Sequence, residues 1–200
     1  MSDLRALVCA ELAEPVNPRV TAMAAAIAAQ YGGAARAVLF YGSCLRQQEL
    51  GLPARYGLML DFYLIVSSYE AAWPGRWLAM ANRLIPPNVF PFAHAGLAAK
   101  YAVLSEEDFA ALNGPAATTV SVWARFAQPS RLVWMADDAA RESVVSAVAD
   151  AAPTLFRFAR PIAASCDPLD IWRAGFAQTY RAELRAERED RSGSIVDADP

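Results

Sequence analysis

The stretch AVLFYGSCLR, residues 37–46, decides the fold of this chain. Its first five residues are apolar and predict a short buried strand, which Gly42 and Ser43 end where a short helix, Cys44–Leu50, begins. The segment GLMLDFYLIV, residues 57–66, predicts a second and longer strand that is apolar except at Asp61. This order of strand, Gly-Ser turn, helix and strand predicts an α/β unit built on a small sheet.

Further elements are predicted on both sides of this unit. They are a helix that Asn17 caps, a helix from Tyr69 toward Leu84, strands at Val89–Ala93 and Leu97–Leu104 turned around His94–Gly96, a helix capped at Ser105, and helices near Thr118–Ala127, Ala136–Arg160 and Pro168–Glu189. Gly114-Pro115 is the predicted boundary between two domains. We therefore expect an α+β fold, with a small mixed sheet and flanking helices in residues 1–113 and a helical unit in residues 114–200.

The composition argues against several kinds of protein. A net charge of −3 over 200 residues does not suit a binder of duplex nucleic acid. A single histidine, His94, leaves no multi-histidine metal site, and no segment matches a P-loop. Three widely spaced cysteines fit a reduced, cytoplasmic chain. Charges within Met1–Ala13 argue against a secretory signal, and no stretch reaches the roughly 18–20 strongly apolar residues of a membrane span.

The Gly42-Ser43 turn has the residues of a phosphate site. Glycine lets the backbone approach phosphate oxygens, the Ser43 hydroxyl can donate, and the first N–H groups of the helix are free. Arg46, one turn into that helix, adds positive charge, and Asp61 on the next strand can hold Mg²⁺ on the same phosphates. The alternative interpretation is a buried strand, a helix cap and one structural aspartate.

A Gly-Ser turn followed by a strand aspartate resembles the signature of the DNA polymerase β-like nucleotidyltransferase superfamily. The resemblance implies a nucleotidyltransferase-type mixed sheet. Members usually carry Asp-x-Asp on this strand and a third carboxylate on a later one, whereas Met59 and Tyr63 stand at the two partner positions here. Either metal binding is reduced, or Asp61 works with substrate phosphates and a carboxylate from elsewhere, such as Glu70 or Asp108.

Four short motifs in order carry a closer resemblance. They are YGSCLRQ (41–47), MLDF (59–62), KYAVLS (100–105) and ARFAQP (124–129). Over roughly Val38–Leu132 the chain resembles the translocator assembly and maintenance protein family, the peripheral CDP-diacylglycerol synthases of mitochondria, and its bacterial relatives. In that family the arginine motif is usually followed by Lys-Pro, where this chain has Gln128-Pro129.

The family resemblance implies a phosphatidate cytidylyltransferase, which converts CTP and phosphatidic acid to CDP-diacylglycerol and pyrophosphate with Mg²⁺. By position, Gly42 and Ser43 would hold the triphosphate, Asp61 the metal, and Lys100 and Arg125 the phosphates. The resemblance also implies a cytoplasmic protein on the inner face of the cell membrane, whose partners are CTP, phosphatidic acid and an anionic membrane surface. The sequence is compatible with a monomer or a homo-oligomer.

Two other functions remain open at this point. One is a nucleotidyltransferase that acts on a small molecule, a protein or an RNA end. The other is a catalytically silent binding protein of the same fold. Lys100, the single lysine among eighteen basic residues, has two interpretations of its own: a phosphate-binding lysine of the site, or an edge-strand lysine with a solvated tip.

Two segments are candidates for membrane contact. The last predicted helix has an apolar stripe, formed by Leu169, Trp172, Phe176, Tyr180 and Leu184. We favour docking of this stripe on the protein core over a membrane-surface helix, since Glu183, Glu187 and Glu189 lie on the same helix. The proline-rich apolar segment LIPPNVFPF, residues 84–92, either admits acyl chains beside the site or connects two core elements.

Overall fold

The computed structural model describes residues 2–46, 59–73, 75, 80 and 88–182. Within them the strands are β1 (Ala35–Tyr41), β2 (Met59–Val66), β3 (Asn88–His94), β4 (Leu97–Ser105) and β5 (Ser130–Met135). The helices are α1 (Ser2–Leu12), α2 (Pro18–Ala29), α3 (Ser43–Arg46), α4 (Tyr69–Ala72), α5 (Glu106–Asn113), α6 (Trp123–Phe126), α7 (Asp138–Ala159) and α8 (Pro168–Ala182).

The five strands form one mixed sheet in the order β3-β4-β2-β1-β5. The central pair, β2 and β4, is parallel, and the other three pairs are antiparallel. Helices flank the sheet, and the C-terminal part of the chain is helical, so the predicted α+β class is confirmed. Because β4 lies between β3 and β2, Lys100 is not on an edge strand, and that interpretation of the lysine is wrong.

Local sequence signals explain several element boundaries. The Asn17 side chain accepts a hydrogen bond from the Arg19 N–H at 2.9 Å, which caps α2. Ser105 Oγ accepts from the Asp108 N–H at 3.1 Å at the start of α5. The β3–β4 hairpin closes through Ala95 and Gly96, at φ of 49° and 77°. Two consecutive residues with positive φ are typical of a type I′ turn, whose twist suits a tight hairpin.

Two elements differ from the sequence prediction. Of the helix predicted from Tyr69 toward Leu84, the structure describes a first segment, α4, which ends at Ala72, where Trp73 is extended (φ −131°, ψ 118°). Met80 is helical, and residues 74, 76–79 and 81–84 lie outside the described residues. Pro74 follows in the sequence, and a residue before proline is pushed out of the helical region. Strand β5 was not predicted, because its six residues lie between predicted helices and its partner β1 is about ninety residues earlier in the chain.

The two faces of the sheet differ in their surroundings. Phe40 and Phe62 lie on one face with ring centroids 5.3 Å apart and belong to a buried cluster with Met23 and Ile27 of α2. Tyr41, Asp61 and Lys100 lie on the other face, because side chains alternate along a strand. The candidate site is therefore on the face of the sheet that α2 does not cover.

Contacts between residues divide the chain into two compact units. One comprises residues 1–110 and 129–146, and the other comprises residues 111–128 and 147–200. The sequence-based boundary near residue 114 stays a prediction.

In the second unit, helix α8 packs against residues 155 and 156 of α7, where the Trp172 and Phe156 rings are 5.4 Å apart, while Leu169 at its start is 40% exposed. Ile171 and Phe176 are buried, and a Cβ added to Gly175 would lie 2.7 Å from Leu155 Cγ. The close approach therefore requires glycine at this position of α8. None of the helices in the described ranges combines the length and the apolar character that crossing a membrane requires.

Candidate functional site

One row of residues crosses all five strands and brings the sequence motifs together. In order from β3 to β5 the row contains Pro91, Lys100, Asp61, Tyr41 and Ser130, each the register partner of the next. Residues directly opposite each other on neighbouring strands project to the same face. The parallel register of β2 and β4 thus sets the aspartate of one motif beside the lysine of another, 39 positions later in the chain.

Asp61 and Lys100 form an ion pair. Lys100 Nζ lies 3.2 Å from Asp61 Oδ1. The Lys100 side chain is 39% exposed and the Asp61 side chain is 18% exposed. An ion pair with this much exposure adds little to folding stability. Lys100 is the more accessible partner, whereas Asp61 Oδ1 is buried, so a dissolved ligand would meet the ammonium first.

Gly42 packs directly against the Asp61 carboxylate. Its φ is +89°, a conformation that side-chain-bearing residues rarely adopt. A Cβ at this position would lie 3.1 Å from Asp61 Oδ2, so a larger residue would push the carboxylate away. The glycine that the sequence assigned to phosphate approach therefore also fixes the position of Asp61.

Helix α3 begins at this glycine and is tied to β2. The Leu45 N–H donates to the Gly42 carbonyl oxygen at 3.1 Å, and the Cys44 thiol donates to the Met59 carbonyl oxygen at 3.5 Å. Ser43, the first residue of α3, is exposed.

Cys44 has a structural role beside the candidate site. Burial raises the pKa of its thiol, and the Asp61 charge adds to the shift, while the Ser43 hydrogen bond and the Lys100 charge oppose it. A thiol held protonated in this way anchors α3 and is a poor nucleophile. Its place directly after the Gly-Ser turn, in an otherwise apolar segment, is the sequence signal for this role.

Glu70 and Asp108 lie toward the opposite end of the strands from Asp61. The strand ends that they follow, Val66 and Ser105, are five residues beyond Asp61 and Lys100, about 16 Å at the usual rise per residue. Asp108 accepts a hydrogen bond from the Tyr69 hydroxyl at 2.5 Å. Burial and this hydrogen bond raise the pKa of Tyr69. Asp108 therefore already serves the packing of α4 and α5.

Mg²⁺ fits this donor set only together with substrate phosphates. Within the described ranges, no group of three or more His, Cys, Asp or Glu side chains could hold a metal ion. Mg²⁺ in nucleotide enzymes is commonly bound by one or two carboxylates, phosphate oxygens and water. Asp61 is the carboxylate that the row of motifs supplies, and Lys100 provides a second positive charge at the same oxygen.

The remaining predicted site residues are placed less completely. Arg46 ends α3, and its side chain lies outside the described part of the structure. Arg125 lies in α6 of the second unit, where its guanidinium donates to the Ser121 carbonyl oxygen. His94 is exposed at the end of β3, with its ring stacked on Phe92 at 6.4 Å. The roles of Arg46 and Arg125 in phosphate binding stay predictions.

Comparison of the sequence with protein-family models yields no match, and comparison with curated proteins yields none either. The function must therefore be inferred from the chemistry of Gly42, Asp61 and Lys100. These three come from separate motifs and meet at the end of β1, where Asp61 and Lys100 are register partners and Gly42 contacts the Asp61 carboxylate.

Proposed function

We propose that this protein is a phosphatidate cytidylyltransferase, which transfers CMP from CTP to phosphatidic acid with Mg²⁺. The observation that carries the proposal is the meeting of Gly42, Asp61 and Lys100 at the end of β1. A Gly-Ser turn with an exposed serine, a carboxylate for a divalent ion and a partly exposed ammonium are groups that suit a nucleoside triphosphate.

The reaction suits a site with one carboxylate. A phosphate oxygen of phosphatidic acid attacks the α-phosphorus of CTP, the bond from that phosphorus to the β-bridging oxygen breaks, and pyrophosphate leaves. The attacking phosphomonoester is largely ionised at neutral pH, because its second pKa is about 6. It therefore needs little help from a general base, and charge neutralisation with in-line positioning supplies most of the catalysis.

Each residue then has a defined role in the proposal. Gly42 and Ser43 bind the triphosphate through the backbone and the hydroxyl, and Asp61 holds Mg²⁺ together with the phosphates. Lys100 binds a phosphate oxygen and orients Asp61. Arg46 and Arg125 add positive charge to phosphates, as the family resemblance implies. Bound Mg²⁺ would neutralise the charge of the leaving pyrophosphate.

Lys100→Met tests the catalytic proposal. The purified protein with CTP, Mg²⁺ and phosphatidic acid in detergent should release pyrophosphate, and the variant should lose at least about 100-fold of that turnover. Its melting temperature should stay close to that of the wild type, because the ion pair is partly exposed. Arg5→Met is the matched control, since it removes another exposed cation that is paired with a carboxylate.

Retained turnover in Lys100→Met, or equal losses in both variants, would contradict the assigned role of Lys100. Absence of pyrophosphate release from the wild type, with lipid in detergent and in bilayers, would refute the proposed activity. Release with CTP and no lipid would favour a different acceptor.

A nucleotide-binding protein without turnover is the second candidate. The observation in its favour concerns the motifs that contain Gly42, Asp61 and Lys100. Within the described residues, these motifs place no second carboxylate beside Asp61. Thermal-shift measurements with each of the four nucleoside triphosphates and Mg²⁺ separate the candidates when combined with the turnover assay. A shift with CTP and no pyrophosphate release would favour the silent protein.

Peripheral membrane location belongs to the same proposal. Phosphatidic acid resides in the bilayer, so an enzyme that uses it must reach the headgroups while it holds CTP from water. The finding that no described helix could cross a membrane is consistent with attachment at the surface. The proposed location is the cytoplasmic face of the cell membrane.

A further inference from the structure

An exposed apolar surface lies beside the Lys100–Asp61 pair, on the β3 side of the same face of the sheet. Val89, Pro91 and Ala93 of β3 are exposed, and Val89 is 58% exposed. Met59 of β2 is 45% exposed. The strand register places these residues next to the ion pair. Pro91 is opposite Lys100, and both Ala93 and Met59 are opposite Ala98. We call Val89, Pro91, Ala93 and Met59 the β3 surface.

Strand β3 alternates between two apolar faces. Phe90 and Phe92 are half-buried against Tyr101 on the core face, with ring centroids 5.6 and 6.2 Å from it. An edge strand with one solvated face normally carries polar or charged residues on that face. Here the outward positions 89, 91 and 93 are all apolar. Core packing does not account for that choice.

The charge content of these strands is also unusual for a solvated surface. Apart from Asp61, Lys100 and His94, no Asp, Glu, Lys, Arg or His stands in β2, β3 or β4. Soluble surfaces normally intersperse charges of both signs. At the hairpin end, the exposed Arg19 of α2 donates to the Ala95 carbonyl oxygen at 3.1 Å and fixes the turn from the α2 side of the sheet.

We propose that the β3 surface docks onto the interface of a phospholipid bilayer and sets the Lys100–Asp61 pair at the level of the headgroup phosphates. This inference rests on the proposed function, because it names the surface by which that site reaches its lipid. Apolar side chains enter the boundary between headgroups and acyl chains, and nearby cations attract anionic lipid. The combination of apolar residues with the partly exposed Lys100 ammonium is complementary to an anionic amphiphilic surface.

A bilayer fits this surface better than a strand from a second copy. Pro91 removes a backbone hydrogen-bond donor from the edge strand β3, which hinders the pairing of a strand from another chain with this edge. A second copy nevertheless remains an outcome that the experiment must detect.

Vesicle co-sedimentation tests the docking directly. The full chain is mixed with vesicles of phosphatidylcholine alone or with added phosphatidic acid, as wild type, Val89→Asp, Ala93→Asp and Leu7→Asp. Leu7 is the matched control, because it lies on α1 and is 67% exposed. The wild type and Leu7→Asp should bind the anionic vesicles, and the β3 variants should bind about tenfold more weakly. Unchanged melting temperatures would show that all variants fold.

A turnover arm separates this inference from the proposed function. Val89→Asp should lose pyrophosphate release with phosphatidic acid in vesicles and keep it with a short-chain phosphatidic acid dissolved in water. If no variant releases pyrophosphate but the β3 variants alone lose vesicle binding, the docking surface stands and the proposed activity fails. Failure of the wild type to bind vesicles, equal binding by Val89→Asp, or equal loss on both substrates would overturn the docking. A change in oligomeric state in Val89→Asp, measured by light scattering, would overturn it in favour of a second copy.

Discussion

Gly42→Ala should move the Asp61 carboxylate through the addition of one carbon. The residue has a φ of +89°, where a side chain costs roughly 1–2 kcal/mol of folding free energy. At about 2–4 °C per kcal/mol for a chain of this length, the backbone alone lowers the melting temperature by roughly 2–8 °C. The added Cβ would also lie 3.1 Å from Asp61 Oδ2, so the carboxylate must retreat by a few tenths of an ångström.

Gly96→Ala provides the matched control for the backbone effect. Its φ is +77°, and nothing lies within 4 Å of an added Cβ. Urea unfolding should therefore show a loss of free energy in both variants, larger in Gly42→Ala because of the contact with Asp61. Pyrophosphate release should fall roughly tenfold in Gly42→Ala alone, since small displacements of a catalytic group slow a positioned reaction. Equal losses of unfolding free energy and equal turnover in the two variants would refute the reasoning.

Two further predictions concern stability away from the site. Ala95→Asn should stabilise the protein by about 1 kcal/mol, seen in calorimetry as a melting temperature about 2–4 °C higher, because alanine at φ 49° is strained and asparagine is not. A lower melting temperature would contradict the turn assignment. Asp137→Asn keeps a side-chain oxygen for the Ala140 N–H but removes the charge that pairs with Arg36 at 2.8 and 3.0 Å. The hydrogen bonds from Arg36 lower the pKa of Asp137 in the folded protein below its ordinary 3.8. The charged carboxylate therefore stabilises the fold at pH values above 3.8. This stabilisation is lost as the pH falls through the lowered pKa of the folded state. Denaturation should show the variant less stable at neutral pH and equal to wild type in strong acid, whereas a constant difference would exclude the charge effect.

Elements with strong local signals were predictable from the sequence. Asn17 and Ser105 are capping residues that stand directly at the starts of their helices, so the sequence predicts both caps. In the structure each side chain accepts the expected hydrogen bond from a backbone N–H of the first turn. Strand β5 was missed because a short strand on the sheet edge depends on its partner β1, and that pairing joins distant parts of the chain. The end of α4 at Ala72 could have been predicted from Pro74, whose effect on Trp73 is local.

The sequence by itself determined the order of β1, the Gly-Ser turn, α3 and β2, because glycine, a buried apolar run and a lone aspartate each have local physical consequences. It also singled out Gly42, Asp61 and Lys100 as candidates. Only the tertiary structure decided that Lys100 meets Asp61 and that Glu70 and Asp108 lie toward the other end of the strands. The register of a parallel pair is set by which faces of the strands are buried, and no local pattern around residue 61 or residue 100 specifies it.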